Sequence, residues 1–254
     1  MKYISVKDFY DVMRNGKRIY TSQVTTKKYC EIFEKYLKEG YDILSISCSS
    51  ALSSSIKASY VARDNLKKLY PQQKIICIDS LNSSCGLGML CIRASELRSE
   101  GKVIEEVEIE ISELRNKVNQ NITPEKLSYL KQAGRVSATS AFFGGLLNIK
   151  PIIISDALGQ NTAIEKVKGR QVSIERISEM FVENYKHYSF QKIFICHADC
   201  IEDANKLKEL VVSKLNKEIE FHIESIGPIV GASVGPGTVA VQFFGKEVTL
   251  NKIN

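Results

Sequence analysis

An alternation in the first part of the chain most constrains its fold: a short apolar run, a small polar loop, then an amphipathic stretch. Residues 41–47, Tyr-Asp-Ile-Leu-Ser-Ile-Ser, read as a mostly buried strand. The run Ser49-Ser50-Ala51-Leu52-Ser53-Ser54-Ser55 follows, and a helix then continues to about Tyr70. Pro71 ends it, because the ring removes an N–H and collides with the preceding turn. Residues 74–79 repeat the apolar pattern, 80–88 form a small-residue loop, and 89–99 form a second helix with Gly101 beyond its end. Upstream, Tyr29, Ile32, Phe33 and Leu37 share one helical face. A parallel neighbour can be reached only by a crossover, so this alternation predicts an α/β layer built on a parallel sheet. Ligands of such sheets collect at the carboxyl ends of the strands, where the serine run and Asp79-Ser80 both lie.

The second half predicts α+β character. A small-residue helix is expected over 138–147, a strand over 149–154 and another over 162–167, with the turn Asp156-Ala157-Leu158-Gly159 making them a hairpin. Pro151 is expected at a strand start or edge, since it cannot donate to a ladder. Further helices are expected over 173–185 and 204–215, and strands at 193–196, 219–223 and 240–244. The expected division is an α/β sheet domain over 1–134 and a mixed-sheet α+β domain over 135–254.

Composition narrows the function classes. The 254 residues can bury a real core, and 44% apolar with 25% charged residues is ordinary for a soluble globular protein. The net charge of +6 comes from scattered Lys and Arg rather than a basic block interleaved with aromatics, so nucleic acid is not the expected partner. No apolar run approaches the length of a membrane span, and no signal peptide is visible; a cytoplasmic location is expected. The seven cysteines are odd in number and most lie in apolar runs, which predicts buried thiols rather than a disulfide framework. Residues 196–200, Cys-His-Ala-Asp-Cys, bring three ligand types together but match no common zinc spacing; no metal and no cofactor are expected.

Three polar clusters remain: Thr21-Ser22-Gln23, the serine run, and residues 231–237, Gly-Ala-Ser-Val-Gly-Pro-Gly. None carries a general base, a metal-ligand set or a phosphate-loop lysine. Hydroxyls and glycine backbone suit holding a small anionic head group better than breaking a bond. Each cluster also has a plainer reading. Ser49 or Ser50 would cap the next helix, Gly235-Pro236-Gly237 would be a turn, and Arg135 would sit in a structural ion pair.

Taken in order, several short motifs resemble the DegV family of bacterial fatty-acid-binding proteins. They are Thr-Ser-Gln, Ser-Ser-x-Leu-Ser, Asp79-Ser80 with Gly86-Leu87-Gly88, and residues 129–137, Tyr-Leu-Lys-Gln-Ala-Gly-Arg-Val-Ser. Lys150-Pro151-Ile152, Lys168-Gly169-Arg170 and Gly235-Pro236-Gly237 complete the set. The resemblance implies two domains with a long-chain fatty acid between them. It also implies a carrier that is not itself an enzyme and presents the carboxylate to a fatty acid kinase ATP-binding subunit. Thr21 and Ser53 match the family positions that hold the carboxylate. Ser54 stands where the family usually has Gly, with its N–H as donor; Ser50 lies beside them, and Arg135 matches the arginine near the head group. Ser233 occupies the position of a family histidine, so it lacks a group that titrates near neutrality. Lys168 and Arg170 match a stretch where a kinase subunit would dock, with Lys166 alternating beside them and Lys150 on the paired strand.

The chain starts after the family's opening strand, so roughly the first fifth of a typical member is not represented. A parallel sheet short of a strand leaves an edge that dimerisation or residues 1–20 would have to cover.

A fatty acid also fits on physical grounds. Burying ~14 methylenes at about 0.8 kcal/mol each would supply on the order of 11 kcal/mol before ordering costs. The head group then needs satisfying rather than strong attraction, which hydroxyls and N–H groups can do with charge-assisted hydrogen bonds. Ala138, Ala141, Phe142, Phe143, Gly144 and Gly145 would give a narrow lining or simply close packing. Two other classes stay open: a serine hydrolase or acyltransferase using the serine run, and a small-anion-binding module using helix N-termini. Against the hydrolase, there is no Gly-x-Ser-x-Gly elbow.

Overall fold

The computed structural model describes residues 4–138, 148–215 and 219–251. The small-residue stretch with Ala141, Phe142, Phe143, Gly144 and Gly145 lies outside them. The first helix, α1 (Val6–Arg14), starts where the Ser5 hydroxyl accepts the Asp8 N–H. The chain divides into two compact units, Ser22–Asn116 and a larger one made of Met1–Thr21 with Lys117–Asn254. The sequence reading put a single boundary at 134.

The Ser22–Asn116 unit runs α2 (Thr26–Lys38), β1 (Ile43–Ser47), α3 (Ser55–Lys67), β2 (Ile75–Asp79), α4 (Ser84–Ser99) and α5 (Ile104–Leu114). β1 and β2 pair in parallel from Ile43↔Ile75 to Ser47↔Asp79. Phe33 and Leu37 of α2 bury against Ile43, Ala62 and Leu66, as the helical spacing of their apolar positions requires. α4 starts at Ser84 rather than 89, so Gly86 and Gly88 belong to the helix and not to a loop. Tertiary packing overrides the glycine penalty there, with Gly86, Met89 and Leu90 all buried. Glu105, Glu106, Glu108, Glu110 and Glu113 lie on α5, whose Val107, Ile111 and Leu114 face the core while Glu110 pairs with Arg93 at 2.7 Å.

The larger unit continues with β3 (Val118–Thr123), α6 (Leu127–Ala133), β4 (Ile149–Ser155), β5 (Asn161–Lys168), α7 (Arg170–Asn184), β6 (Phe194–His197), α8 (Ile201–Leu215), β7 (His222–Ser225), α9 (Pro228–Val234) and β8 (Val239–Phe244). Its mixed sheet has the order β5-β4-β3-β8-β6-β7, with only β6 and β7 parallel. The hairpin of β4 and β5 is present with Ile149 opposite Lys168. β4 is flanked on both sides, yet β3 reaches only its Ile153 and Ile154, so Pro151 stays clear of that ladder. Ile177, Phe181, Ile195, Leu207, Val211, Val241 and Phe243 form the core between this sheet and helices α7 and α8.

β3 escaped the sequence reading because Asn119, Gln120 and Asn121 are poor strand formers. All six of its residues are buried. It is held by a full antiparallel ladder to β8 and by the Gln242 amide donating to Gln120 Oε1 at 3.0 Å. This ladder is why the chain from Lys117 belongs to the larger unit.

The cysteines are less buried than their apolar neighbours in sequence suggested. Cys196 is buried, Cys91 is exposed and the other five are half-buried. The Cys196–Cys200 run is spent on local structure: His197 Nδ1 accepts the Cys200 N–H at 3.2 Å, and Asp199 pairs with Arg14. No group of ligands that could hold a metal occurs among the described residues. Burial holds His197 below its ordinary range, and Asp199 and Glu202 oppose this only in part. A lowered folded value means that the unfolded chain takes up the proton first. Stability contributed by neutral His197 is therefore complete above the ordinary histidine value and falls as pH drops below it. The urea midpoint should decline from about pH 6.5 downward, and His197→Asn, which keeps an acceptor for Cys200, should flatten that decline.

Candidate functional site

The larger unit contains a cleft of about 270 Å³ whose walls come from the segment after α1, from α6 with the residues following it, and from α9. Each wall is placed by identifiable contacts. α1 packs on α9 because residue 231 is glycine: a Cβ there would lie 2.4 Å from the Tyr10 hydroxyl, which donates to Ile226 O at 2.7 Å. Arg18 reaches from the segment after α1 to Gln132 O at 2.8 Å and covers the Tyr20 ring. α6 ends at Gly134, after which Asn161 donates to Arg135 O at 2.9 Å and Ser137 N donates to Asn161 O at 2.7 Å, fixing the strand-like exit beside β5. Tyr129 lies directly on the backbone at Gly235 and donates to Met13 O at 3.3 Å.

Thr21, Arg135 and Ser233, assigned separately from distant motifs, all line this cleft. Its remaining lining includes Lys17, Arg18, Lys126, Ser128, Tyr129 and Gln132. Among the described lining residues four are therefore cationic and none is Asp or Glu. With hydroxyls and an amide among them, the surface is suited to a small anionic group, held by donors and favoured by the local potential. Lys17, Arg18 and Lys126 were not singled out from sequence, although Lys17-Arg18 stands three residues before Thr21. The Arg135 guanidinium donates to Ala133 O, so its placement owes something to its own helix end.

Ser50, Ser53 and Ser54 lie together in the other unit, in the loop from β1 to α3. Ser49 is buried, with its N–H on Asn82 O at 2.9 Å and its hydroxyl accepting the Ala51 N–H at 3.2 Å, which is the turn-forming role. The Ser50 N–H goes to the Asp79 carboxylate at 3.2 and 3.3 Å. The Ser53 and Ser55 hydroxyls bond each other at 2.9 Å, and Ser54 opens α3. The Ser53 hydroxyl thus has a hydroxyl, not a base, beside it. Of the three histidines, all in the larger unit, His197 accepts from Cys200 and His222 stacks on Phe194.

The single strand face expected to carry Lys166, Lys168 and Arg170 ends before the arginine. Lys166 and Lys168 are exposed on β5, but the chain leaves that strand at Gly169 and Arg170 begins α7. Arg170 forms an internal ion pair with Asp203 at 2.8 Å and has only 19% of its side chain exposed. Lys150 pairs with Val167 in register, so it projects from the opposite face to Lys166 and Lys168, where it is buried against Glu125 at 2.6 Å.

The architecture is α/β, and its cleft gathers hydroxyls, an amide and four cationic side chains on one surface. The family model described as "Uncharacterised protein, DegV family" matches residues 2–246. The chain belongs to the DegV family. A DegV domain-containing protein of Clostridium perfringens is 36% identical over 242 residues, covering 95% of this chain and 83% of that one. DegV of Bacillus subtilis, described as a fatty acid binding protein, superposes with a TM-score of 0.78 at 26% identity, covering 94% of this chain and 84% of the other. A DegV lipid binding protein from Thermotoga maritima gives 0.79 at 25% identity, covering 96% and 84%. The two-sheet α/β architecture is thus the DegV fold. No helix among the described residues is long and apolar enough to cross a membrane.

Proposed function

We propose that this protein is a non-enzymatic carrier that binds one long-chain fatty acid and presents its carboxylate to a fatty acid kinase ATP-binding subunit. The observation that carries this reading is the gathering of Thr21, Arg135 and Ser233 on one cleft lined by four cations and no carboxylate. The fatty-acid-binding relative from Bacillus subtilis and the lipid-binding one from Thermotoga maritima support the ligand class. In this reading Thr21 and Ser53 hold the carboxylate oxygens, Ser54 and Ser50 add donors, and Arg135 supplies positive charge. Ser233 contributes a short neutral hydroxyl, which leaves room for a water. The acyl tail supplies the binding energy and the polar groups set its direction. Lys168, with Lys166 on the same exposed face of β5, would guide an acidic surface of the kinase by complementary charge.

The decisive experiment is mass spectrometry of an organic extract of the denatured purified protein. Co-purifying free fatty acid at close to one molecule per chain is the expected result. A serine-linked acyl group would replace this reading by the hydrolase, and a polar anion alone would replace it by the small-anion module.

A further inference from the structure

The Gly235-Pro236-Gly237 loop is gripped from two sides. On one side the Tyr129 ring lies against Gly235. On the other stands Arg170, which lies outside the cleft. Its Nη2 donates to Gly237 O at 2.6 Å, its Nη1 to Thr123 O at 3.1 Å and its Nε to Asp203 Oδ2 at 2.9 Å. One guanidinium thus ties the start of α7, the end of β3, the loop and the first turn of α8. The loop follows α9 directly, and α9 carries Ser233 into the cleft. This connection is also held by neutral bonds, Gly237 N to Ala198 O at 2.8 Å, Ala198 N to Thr238 O at 2.8 Å, Gly235 N to Gly231 O at 2.9 Å and the Thr238 hydroxyl to Val234 O at 2.9 Å, so Arg170 brings the charged donor among them.

We infer that Arg170 is a positioning residue that sets the place of Ser233 in the cleft through the Gly235–Gly237 loop, an inference that rests on the fatty-acid reading. Shortening the side chain leaves Gly237 O and Thr123 O without a charged donor and leaves Asp203 with its charge uncompensated. The loop then relaxes, and the α9 end moves with it. Lysine cannot substitute, because a point charge on a flexible stem cannot serve three acceptors in the geometry of a planar fork.

The test is a double-mutant comparison of oleate affinity using delipidated full-length protein. Arg170→Gln should weaken oleate by about tenfold and Ser233→Ala by about fivefold. If Arg170 acts through Ser233, the double variant should fall within about twofold of the weaker single variant. Combined with Thr21→Ala, placed by other elements, Arg170→Gln should instead give losses that multiply. A merely structural role would make the losses multiply with Ser233→Ala as well, and that result overturns the inference. So does wild-type affinity in a folded Arg170→Gln protein. Should Arg170→Gln not fold, Asp203→Asn loosens the same fork and should show the same non-additivity with Ser233→Ala; multiplying losses there overturn it too. A wild-type protein that takes no oleate refutes the fatty-acid reading itself, and is thereby distinguished from a failure of the positioning role.

Discussion

Gly235→Ala should lose on the order of 3–5 kcal/mol of folding stability and abolish binding in the cleft, from two effects of comparable size. The residue has φ 78° and ψ 165°, a region that is essentially closed to residues with a Cβ. A Cβ would also meet Tyr129 Cδ2 at 2.2 Å and Cγ at 2.4 Å. Cγ is the root of the ring, so a rotation about the Cβ–Cγ bond does not relieve the contact. Tyr129 would have to withdraw as a whole, taking with it a wall of the cleft and its bond to Met13 O. Small domains hold only about 5–15 kcal/mol in total, so the loss is a large fraction of it. Urea unfolding should show a markedly lower midpoint. Tyr129→Ala combined with Gly235→Ala should recover only the steric part and leave the backbone part. A Gly235→Ala protein of wild-type midpoint would mean that the loop has another conformation.

The contrast between what the sequence shows and what it hides has a physical basis. The β1-α3-β2-α4 succession is legible because each element carries its own local pattern: apolar runs of strand length, amphipathic spacing, and Pro71 as a stop. β3 carries no such pattern. Its polar residues become a central strand only because β8, far along the chain, supplies the ladder and Gln242 supplies an amide partner for Gln120. The cleft behaves similarly. Thr21, Arg135 and Ser233 were legible through short motifs, and the structure brings them to one surface. Lys17, Arg18 and Lys126 were not, because an exposed lysine or arginine has no local signature that separates a cleft lining from a solvated face. Arg170 shows the opposite failure. Alternation with Lys166 and Lys168 suggested one strand face, but Gly169, with φ 96°, ends the strand, and the arginine turns inward to Asp203.

The absence of carboxylates from the cleft leads to a second large effect. Lys17→Glu with Lys126→Glu should weaken oleate on the order of 30-fold at low salt, without lowering the urea midpoint. Each change alters the local charge by two units. At about 8 Å and an effective dielectric near 40, a unit of charge is worth about 1 kcal/mol to an anionic head group before screening. Water and ions around an open cleft reduce this, so about 2 kcal/mol in total is expected, close to a factor of 30 in affinity. If, as proposed, Ser53 gives the head group one hydrogen bond, Ser53→Ala costs about 1 kcal/mol, so the paired reversal should exceed it. Salt separates the two mechanisms. The charge-reversal deficit should shrink several-fold between about 0.05 and 0.5 M salt as the screening length contracts, whereas the Ser53→Ala deficit should hardly change. A fatty-acid ester, which carries no charge, should lose nothing on charge reversal. Equal losses for acid and ester would show that Lys17 and Lys126 act by shaping the wall, and that the charge of the cleft does not select the carboxylate.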